Sequence, residues 1–209
     1  MMKLFYSAGG CSTCCHIALE EAGLPHQAVE VDWDKPDANL AEMLKRNPMG
    51  AAPVLISDQG KTLTQNAAIL EYIADMKPSS HLLPAAGTWE RVEAISWLSF
   101  VASDLHKAFV PLFALKDTTQ SESARVEVRN WAVSNVKQCL AIVDQHLAGK
   151  DFLMGKQFTV ADTYLFVVVG WCKYVEVKTD EYKNLNSYMA RVFERPAVHK
   201  VMKMEGLLE

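Results

Sequence analysis

The stretch Lys3-Leu4-Phe5-Tyr6-Ser7-Ala8-Gly9-Gly10-Cys11-Ser12-Thr13-Cys14-Cys15-His16 reads as a strand, a glycine turn and the start of a helix. Lys3 to Tyr6 is a short strand, ended by the turn formers Ser7, Gly9 and Gly10. From Ser12 to Ala22 the pattern is helical, with Ile17 and Leu19 apolar and Glu20 and Glu21 outward. Gly23 stops this helix and Pro25 prevents its resumption. Cys11 therefore stands just before a helix N-terminus. Free N–H groups and partial positive charge there favour thiolate, and cysteine pKa values fall from about 8.5 to roughly 3.5–7.5 in such places. The expectation is an acidified, reactive thiol; the competing reading is a small buried hydrophobe.

Five cysteines is an odd number, and three crowd into Cys11, Cys14 and Cys15. A secreted disulfide framework would spread an even set along the chain, so the thiols point to a reducing compartment, the cytoplasm. Cys11-Ser12-Thr13-Cys14 is a C-x-x-C, either dithiol chemistry or a coincidence of a cysteine-rich turn. Cys15 is read as packing. A zinc site would want a second Cys or His pair at ligand spacing. Cys139 and Cys172 are single, and His106 and His146 have no close partners, so no metal is expected.

Outward from this start, His26 to Val31 alternates as a strand and Asp37 to Lys45 is helical. Asn47-Pro48-Met49-Gly50 is a turn. Pro53 to Ile56 is a buried strand, and Asp58-Gln59-Gly60 turns it into Lys61-Thr62-Leu63. Thr64 or Gln65 opens a helix with Ala68, Ile69, Tyr72 and Ile73 on one face. The order is βαβαββα. Residues 77–87, with two prolines and two serines, look like a linker. From Trp89 no strand is expected. Val92, Ile95, Leu98, Val101, Leu105, Phe109 and Leu112 predict one long amphipathic helix, and Ser121 to Leu147 a second. Thr159-Val160-Ala161-Asp162 resembles a capping box. It opens a nearly all-apolar helix, Tyr164 to Trp171. Two more follow, near Asp180 to Phe193 and after Pro196. The division expected is 1–80 for an α/β domain, 81–88 for the linker and 89–209 for an all-helical domain.

The 209 residues are 50% hydrophobic and 22% charged, with net charge −4. No cluster of four Lys/Arg occurs, which argues against a nucleic-acid or anionic-membrane footprint. The longest stretch without a charged residue, Leu4 to Leu19, is broken by Ser7, Gly9, Gly10, Ser12 and Thr13. It is neither a membrane span nor a signal peptide core.

Three further features carry chemistry. Pro53 enters a strand, where it is either a cis peptide that turns the Ala52 N–H and C=O outward or a plain strand start. Gln65-Asn66 opens a helix and offers a carboxylate site or a simple N-cap. Ser99, Ser103, His106, Lys107 and Val110 share a stripe that either lines a cleft or is solvated.

Together, in order, these stretches resemble the glutathione transferases, the bacterial beta class most closely. The resemblance spans nearly the whole chain. It is carried by residues 3–12, by His16-Ile17-Ala18-Leu19-Glu20-Glu21-Ala22-Gly23-Leu24, Asn47-Pro48-Met49-Gly50, Ala52-Pro53-Val54-Leu55 and Leu63-Thr64. Leu105-His106-Lys107, Pro111-Leu112-Phe113 and Phe158-Thr159-Val160-Ala161-Asp162 complete it. It implies a thioredoxin-like N-terminal domain, an all-helical second domain and a homodimer, with Trp89 and Trp97 candidates for a covered face. It makes Cys11 and His106 catalytic and places Lys107 beside glutathione. It makes Pro53 cis and Ala52 the backbone binder of the cysteinyl part. Gln65 and Asn66 would hold the γ-glutamyl end, Ser103 and Asp104 would add contacts, and Lys35 and the electrophile-pocket Trp171 are looser matches. The family often has Glu before Ser or Gly where Gln65-Asn66 stands, Asn at Ser99 and Glu at Asp104. Cys14 and Cys15 lie outside its pattern.

The activity implied is conjugation of glutathione to small hydrophobic electrophiles, with thiol–disulfide exchange through a Cys11–glutathione mixed disulfide. Two alternatives stand beside it: a non-catalytic carrier of apolar ligands on the same fold, and a glutaredoxin-like reductase using Cys11 and Cys14.

Overall fold

A computed structural model describes residues 1–115 and 120–208. The first half holds β1 (Met2–Tyr6), α1 (Thr13–Ala22), β2 (His26–Glu30), α2 (Ala38–Arg46), β3 (Val54–Ile56), β4 (Thr62–Thr64) and α3 (Asn66–Met76). The sheet order is β2-β1-β3-β4. β1 and β2 are parallel, with Leu4 opposite Ala28, and α1 is the crossover that a parallel pair requires. β3 is antiparallel to both β1 and β4. This is the βαβαββα order and the thioredoxin-like sheet that the resemblance implied.

Side-chain alternation along β1 separates two cores. Leu4 and Tyr6 face the large one, shared with α1, α3 and the helical half. Phe5 faces a smaller one with Val31, Leu40, Met43, Val54 and Ile56, beneath α2. Asp37 caps α2 by accepting from the Leu40 N–H at 2.9 Å.

The second half holds α4 (Trp89–Phe100), α5 (His106–Phe113), α6 (Glu122–His146), α7 (Val160–Gly170), α8 (Lys183–Phe193) and α9 (Pro196–Met204). No described helix is long and apolar enough to cross a membrane. α7 is buried along ten of its eleven residues, as its composition requires. Its start is a capping box: Asp162 accepts from the Thr159 N–H at 2.8 Å and the Thr159 hydroxyl at 2.9 Å. The other carboxylate oxygen takes the Leu153 N–H at 2.9 Å.

The long helix expected from Trp89 to Leu112 is present, but it is not α-helical throughout. A π-helical segment, Val101–Leu105, interrupts it, and the His106 N–H bonds back to the Val101 carbonyl. The wider turn inserts a residue that a 3.6 periodicity does not count, so the predicted stripe splits. Ala102, His106 and Lys107 turn to the cleft between the two halves, while Ser99, Ser103 and Asp104 stay solvent-exposed.

The halves are clamped at several points. Arg91 on α4 makes a bidentate pair with Asp75 of α3, at 2.8 and 2.9 Å. Arg195 pairs with Glu21 of α1 at 2.6 Å. Trp171 donates its Nε1–H to the Gly9 carbonyl at 2.9 Å.

Candidate active site

Cys11 sits on the loop between β1 and α1, two residues before the helix begins. The loop is held by Ser12, whose hydroxyl accepts from the Ser7 N–H at 2.9 Å and donates to the Ser7 carbonyl at 3.2 Å. Gly9 has φ +69°, a conformation a side chain would strain. A Cβ on Gly10 would stand 3.1 Å from the Ser7 carbonyl oxygen. These contacts aim the Cys11 thiol at Ala52, whose carbonyl oxygen is 3.6 Å from Sγ. The Ala52–Pro53 peptide is cis.

The thiol is not acidified. Burial pushes Cys11 up to about 11, against a lowering hydrogen bond from the Asn66 side chain and the more distant charge of Lys107. The expected effect of the helix N-terminus fails for a local reason. The first-turn N–H groups of Thr13 and Cys14 are already bonded to the carbonyls of Gly10 and Cys11. They are spent on closing the turn, so desolvation dominates.

A cleft of about 300 Å³ brings together Cys11, Ala52, Pro53, Gln65, Asn66, His106 and Lys107. Seven of the predicted site residues thus share one wall system. Asn47 and Met49 form its rim. Asn47 holds that rim by donating to the Ala51 carbonyl at 2.7 Å and accepting from the Met49 N–H at 3.1 Å. Four predicted residues lie elsewhere. The Lys35 side chain is 87% exposed, 3.9 Å from Asp32, in a separate depression beside β2. Ser103 donates to the Ser99 carbonyl and the Asp104 carboxylate, at 2.8 and 2.7 Å, out of this cleft. Trp171 lines an adjoining cavity of about 480 Å³ with Phe113, Tyr174 and the Ser7–Gly10 loop. Its ring also touches His106, 4.8 Å between centroids.

Two side chains at the α3 N-terminus divide the work differently from the expectation. Asn66 is buried and turns inward: its Oδ1 accepts from the Cys15 and Cys14 thiols at 3.2 and 3.5 Å. Its amide faces the Cys11 sulfur and the Tyr164 hydroxyl, in the sense that favours charge on each. Gln65 keeps an exposed side chain and adopts φ +74°, outside the usual range for a non-glycine residue. Cys14 and Cys15 are fully buried, and desolvation drives the Cys14 thiol well above its ordinary value.

Tyr164 was hidden in a run that reads as apolar core. Its hydroxyl lies 2.6 Å from His106 Nδ1. Burial, followed by the nearby cysteines, keeps Tyr164 protonated, so its O–H is able to donate to Nδ1. Burial and then Lys107 push His106 down to about 4, so the ring is neutral at pH 7. With the Tyr164 O–H donating to Nδ1, the ring proton sits on Nε2. The signal available in the sequence was the phenol itself, which needs a partner when buried.

Residues 2–75 match the family described as Glutathione S-transferase, N-terminal domain, and residues 88–191 match Glutathione S-transferase, C-terminal domain. The glutathione S-transferase GstA of Escherichia coli O157:H7 is 35% identical, over 99% of this chain and 100% of its own. A solved sphingomonad glutathione S-transferase complexed with glutathione is 44% identical, covering 99% of this chain and 100% of that one, with TM-score 0.87. The bacterial beta class enzyme of Sphingomonas chungbukensis is 43% identical with the same coverage and TM-score. With the sheet, the cis Ala52–Pro53 step, the helical half and these matches agreeing over nearly its full length, the chain belongs to the glutathione S-transferase family.

Proposed function

We propose that this transferase binds glutathione in the cleft between Cys11, Pro53 and His106 and delivers its sulfur to a small hydrophobic electrophile. The carrying observation is the convergence of Cys11, the Ala52–Pro53 edge, the α3 N-terminus and the Tyr164–His106 pair on one cleft of about 300 Å³. The tripeptide lies extended along Ala52, with its γ-glutamyl end at Gln65 and the free N–H groups that open α3. Asn66 acts there through its backbone, since its side chain is engaged inside. Residues 1–80 form the glutathione domain and residues 89–209 supply the electrophile wall, of which 116–119 and 209 lie outside the described residues. Trp171, Phe113 and Tyr174 form that wall.

The chemistry rests on two neutral donors. Cys11, protonated at pH 7, and His106, through Nε2–H, both donate toward the glutathione sulfur, and the Lys107 ammonium adds positive charge. Hydrogen bonds to the charged form lower the sulfur's pKa, which raises the fraction of attacking thiolate. Tyr164→Phe removes the bond that holds the imidazole in this tautomer. A roughly tenfold loss in kcat with little change in glutathione KM is expected, the equivalent of one hydrogen bond of about 1.4 kcal/mol. A neutral His106 also predicts no histidine inflection in the rate between pH 5.5 and 7.5; an inflection near 6.5 would show a charged imidazole at work.

Oxidised glutathione supplies the second activity. The Cys11 sulfur, as thiolate, attacks one sulfur of the disulfide and keeps that half as a mixed disulfide; the other glutathione leaves as thiolate and takes up the proton that Cys11 gave up. Burial of Cys14 against Asn66 and Cys15 speaks against a dithiol cycle. Intact mass after such treatment should show one adduct on wild type and on Cys14→Ser, and loss of the main adduct in Cys11→Ala. A two-dalton loss in wild type, with the adduct confined to Cys14→Ser, would reverse the choice.

The chain pairs two-fold. Trp89, Val92, Val126 and Trp131 are exposed on α4 and α6, more large apolar surface than isolated exposed side chains explain. Trp97, the other candidate, is instead packed on Phe100 and on His146 within its own chain. Sedimentation should give about twice the 23.3 kDa chain mass at micromolar concentration; a monomer mass would sink the pairing.

A further inference from the structure

Three side chains that the glutathione chemistry leaves unused meet where α1 returns into β2. His16 and Glu20 stand one helical turn apart on α1 and share a face. Gly23 and Pro25 reverse the chain, and His26, the first residue of β2, comes back onto that face. One ligand atom from each of the three lies within 4.8 Å of the other two.

Both rings are held through the opposite nitrogen. His16 Nδ1 is 2.8 Å from Glu205 Oε1, in a pair with no exposed side-chain surface. His26 Nδ1 is 2.8 Å from the Leu24 carbonyl oxygen. A carboxylate and a carbonyl only accept, so each Nδ1 carries a proton, which leaves Nε2 as the ring atom that can offer a lone pair to a cation. Glu20 Oε1 lies 3.8 Å from His26 Nε2, while its Oε2 takes the Lys200 ammonium at 2.7 Å. His16 Nε2 is buried and has no hydrogen-bond partner, alone in this among the described side chains. The His26 ring meets His16 edge to face at 5.4 Å. His16 Nε2, His26 Nε2 and Glu20 Oε1 converge here, and the His16 nitrogen has no hydrogen-bond partner among them. A buried polar atom left so is costly, and a cation among the three relieves it.

We propose that His16 Nε2, His26 Nε2 and Glu20 Oε1 bind one divalent transition-metal ion of the zinc, cobalt or nickel type. Two imidazoles and one carboxylate suit such ions better than magnesium or calcium. The carboxylate and carbonyl behind the rings are the outer partners that fix metal-binding histidines elsewhere. Ligand bonds of about 2.0–2.2 Å place neighbouring donors about 3.4 Å apart, so the three must close by about 1 Å. Glu20 is a long side chain at a part-exposed position, and β2 is an edge strand, so both can yield. Water entering beside the part-exposed Glu20 completes the shell. Glu205 Oε2 also accepts from the Thr13 hydroxyl at 2.7 Å and the Gly9 N–H at 3.2 Å. The ion therefore ties β2 and the C-terminal segment to the loop before Cys11. Searching for Cys and His pairs at ligand spacing missed this set, because its members come from a helix and the strand after it.

The test uses metal-stripped Cys11→Ala protein, which removes the cleft thiol as a competing ligand. Titration with Co²⁺ should reach one ion per chain at micromolar or tighter affinity. It should show visible ligand-field absorption and no near-ultraviolet thiolate band. Zn²⁺ should displace the Co²⁺ and raise the melting temperature. His26→Gln and Glu20→Gln should each weaken binding about tenfold or more. Lys200→Ala should leave it intact or tighten it, and His106→Gln should not change it. No stoichiometric binding, a thiolate band, or binding that survives both His26→Gln and Glu20→Gln overturns the proposal and leaves a proton as the occupant. His16 is fully buried, so its replacement threatens the fold; the deciding variants are His26→Gln and Glu20→Gln, each checked for native circular dichroism without metal.

Discussion

Alkylation of Cys11 in the glutathione-free protein should climb about tenfold per pH unit from pH 7 to pH 10, with no plateau in that range. The thiolate is the nucleophile, and a thiol pushed up to about 11 has only ~10⁻⁴ of its population ionised at pH 7. An acidified thiol at a helix N-terminus would react at its full rate already at neutral pH. The two cases differ by three to four orders of magnitude in rate near pH 7, roughly the distance between pKa values of 7 and 11. Iodoacetamide labelling followed by peptide mass spectrometry separates Cys11 from half-buried Cys139. A midpoint below pH 8 would mean that the Asn66 amide and Lys107 outweigh burial. In the proposed mechanism a protonated Cys11 would serve conjugation as a donor, and exchange with disulfides would be the slow, alkaline-favoured activity.

Asp162→Ala should cost about 3–5 kcal/mol of folding stability, the sum of two buried N–H groups left without partners and a lost cap. The carboxylate accepts from the Leu153 and Thr159 N–H groups and the Thr159 hydroxyl, all buried. Burial raises Asp162 to about 6 against those hydrogen bonds, so at pH 7 most of the population is ionised. Asp162→Asn keeps one acceptor oxygen but turns an NH₂ group toward a donor, and should fall between wild type and Ala. Urea unfolding at pH 7 measures both. A loss below about 1 kcal/mol for Ala would show that water replaces the carboxylate at no net cost.

Much of the candidate site's cleft was legible because its signals are local. A strand followed by Gly9-Gly10-Cys11 and a helix start, a proline entering β3, and Gln65-Asn66 opening α3 are each read within a few residues. The capping box at Thr159 and Asp162 is equally local, and both its bonds are present. What local pattern could not supply were quantities that depend on what packs over a residue. Cys11 looks acidified from its position in the chain, but it is the burial over its sulfur and the turn's use of its own N–H groups that decide its proton. Ser99, Ser103, His106 and Lys107 look like one stripe at 3.6 residues per turn, and a single π-helical segment parts them.

Residue order and periodicity alone determined the βαβαββα half, the helical half and the placement of a thiol at the edge of the cleft. These follow from backbone preferences and apolar spacing, which act over one or two turns. Tertiary structure decided that Tyr164, written into an apolar run, is the partner of His106, and that Lys35 stands apart from the cleft. It also decided that His16 faces Glu20 and His26 with an unsatisfied nitrogen. Those outcomes depend on which elements meet across the fold, and desolvation and hydrogen-bond partnership are properties of that meeting rather than of any stretch of chain.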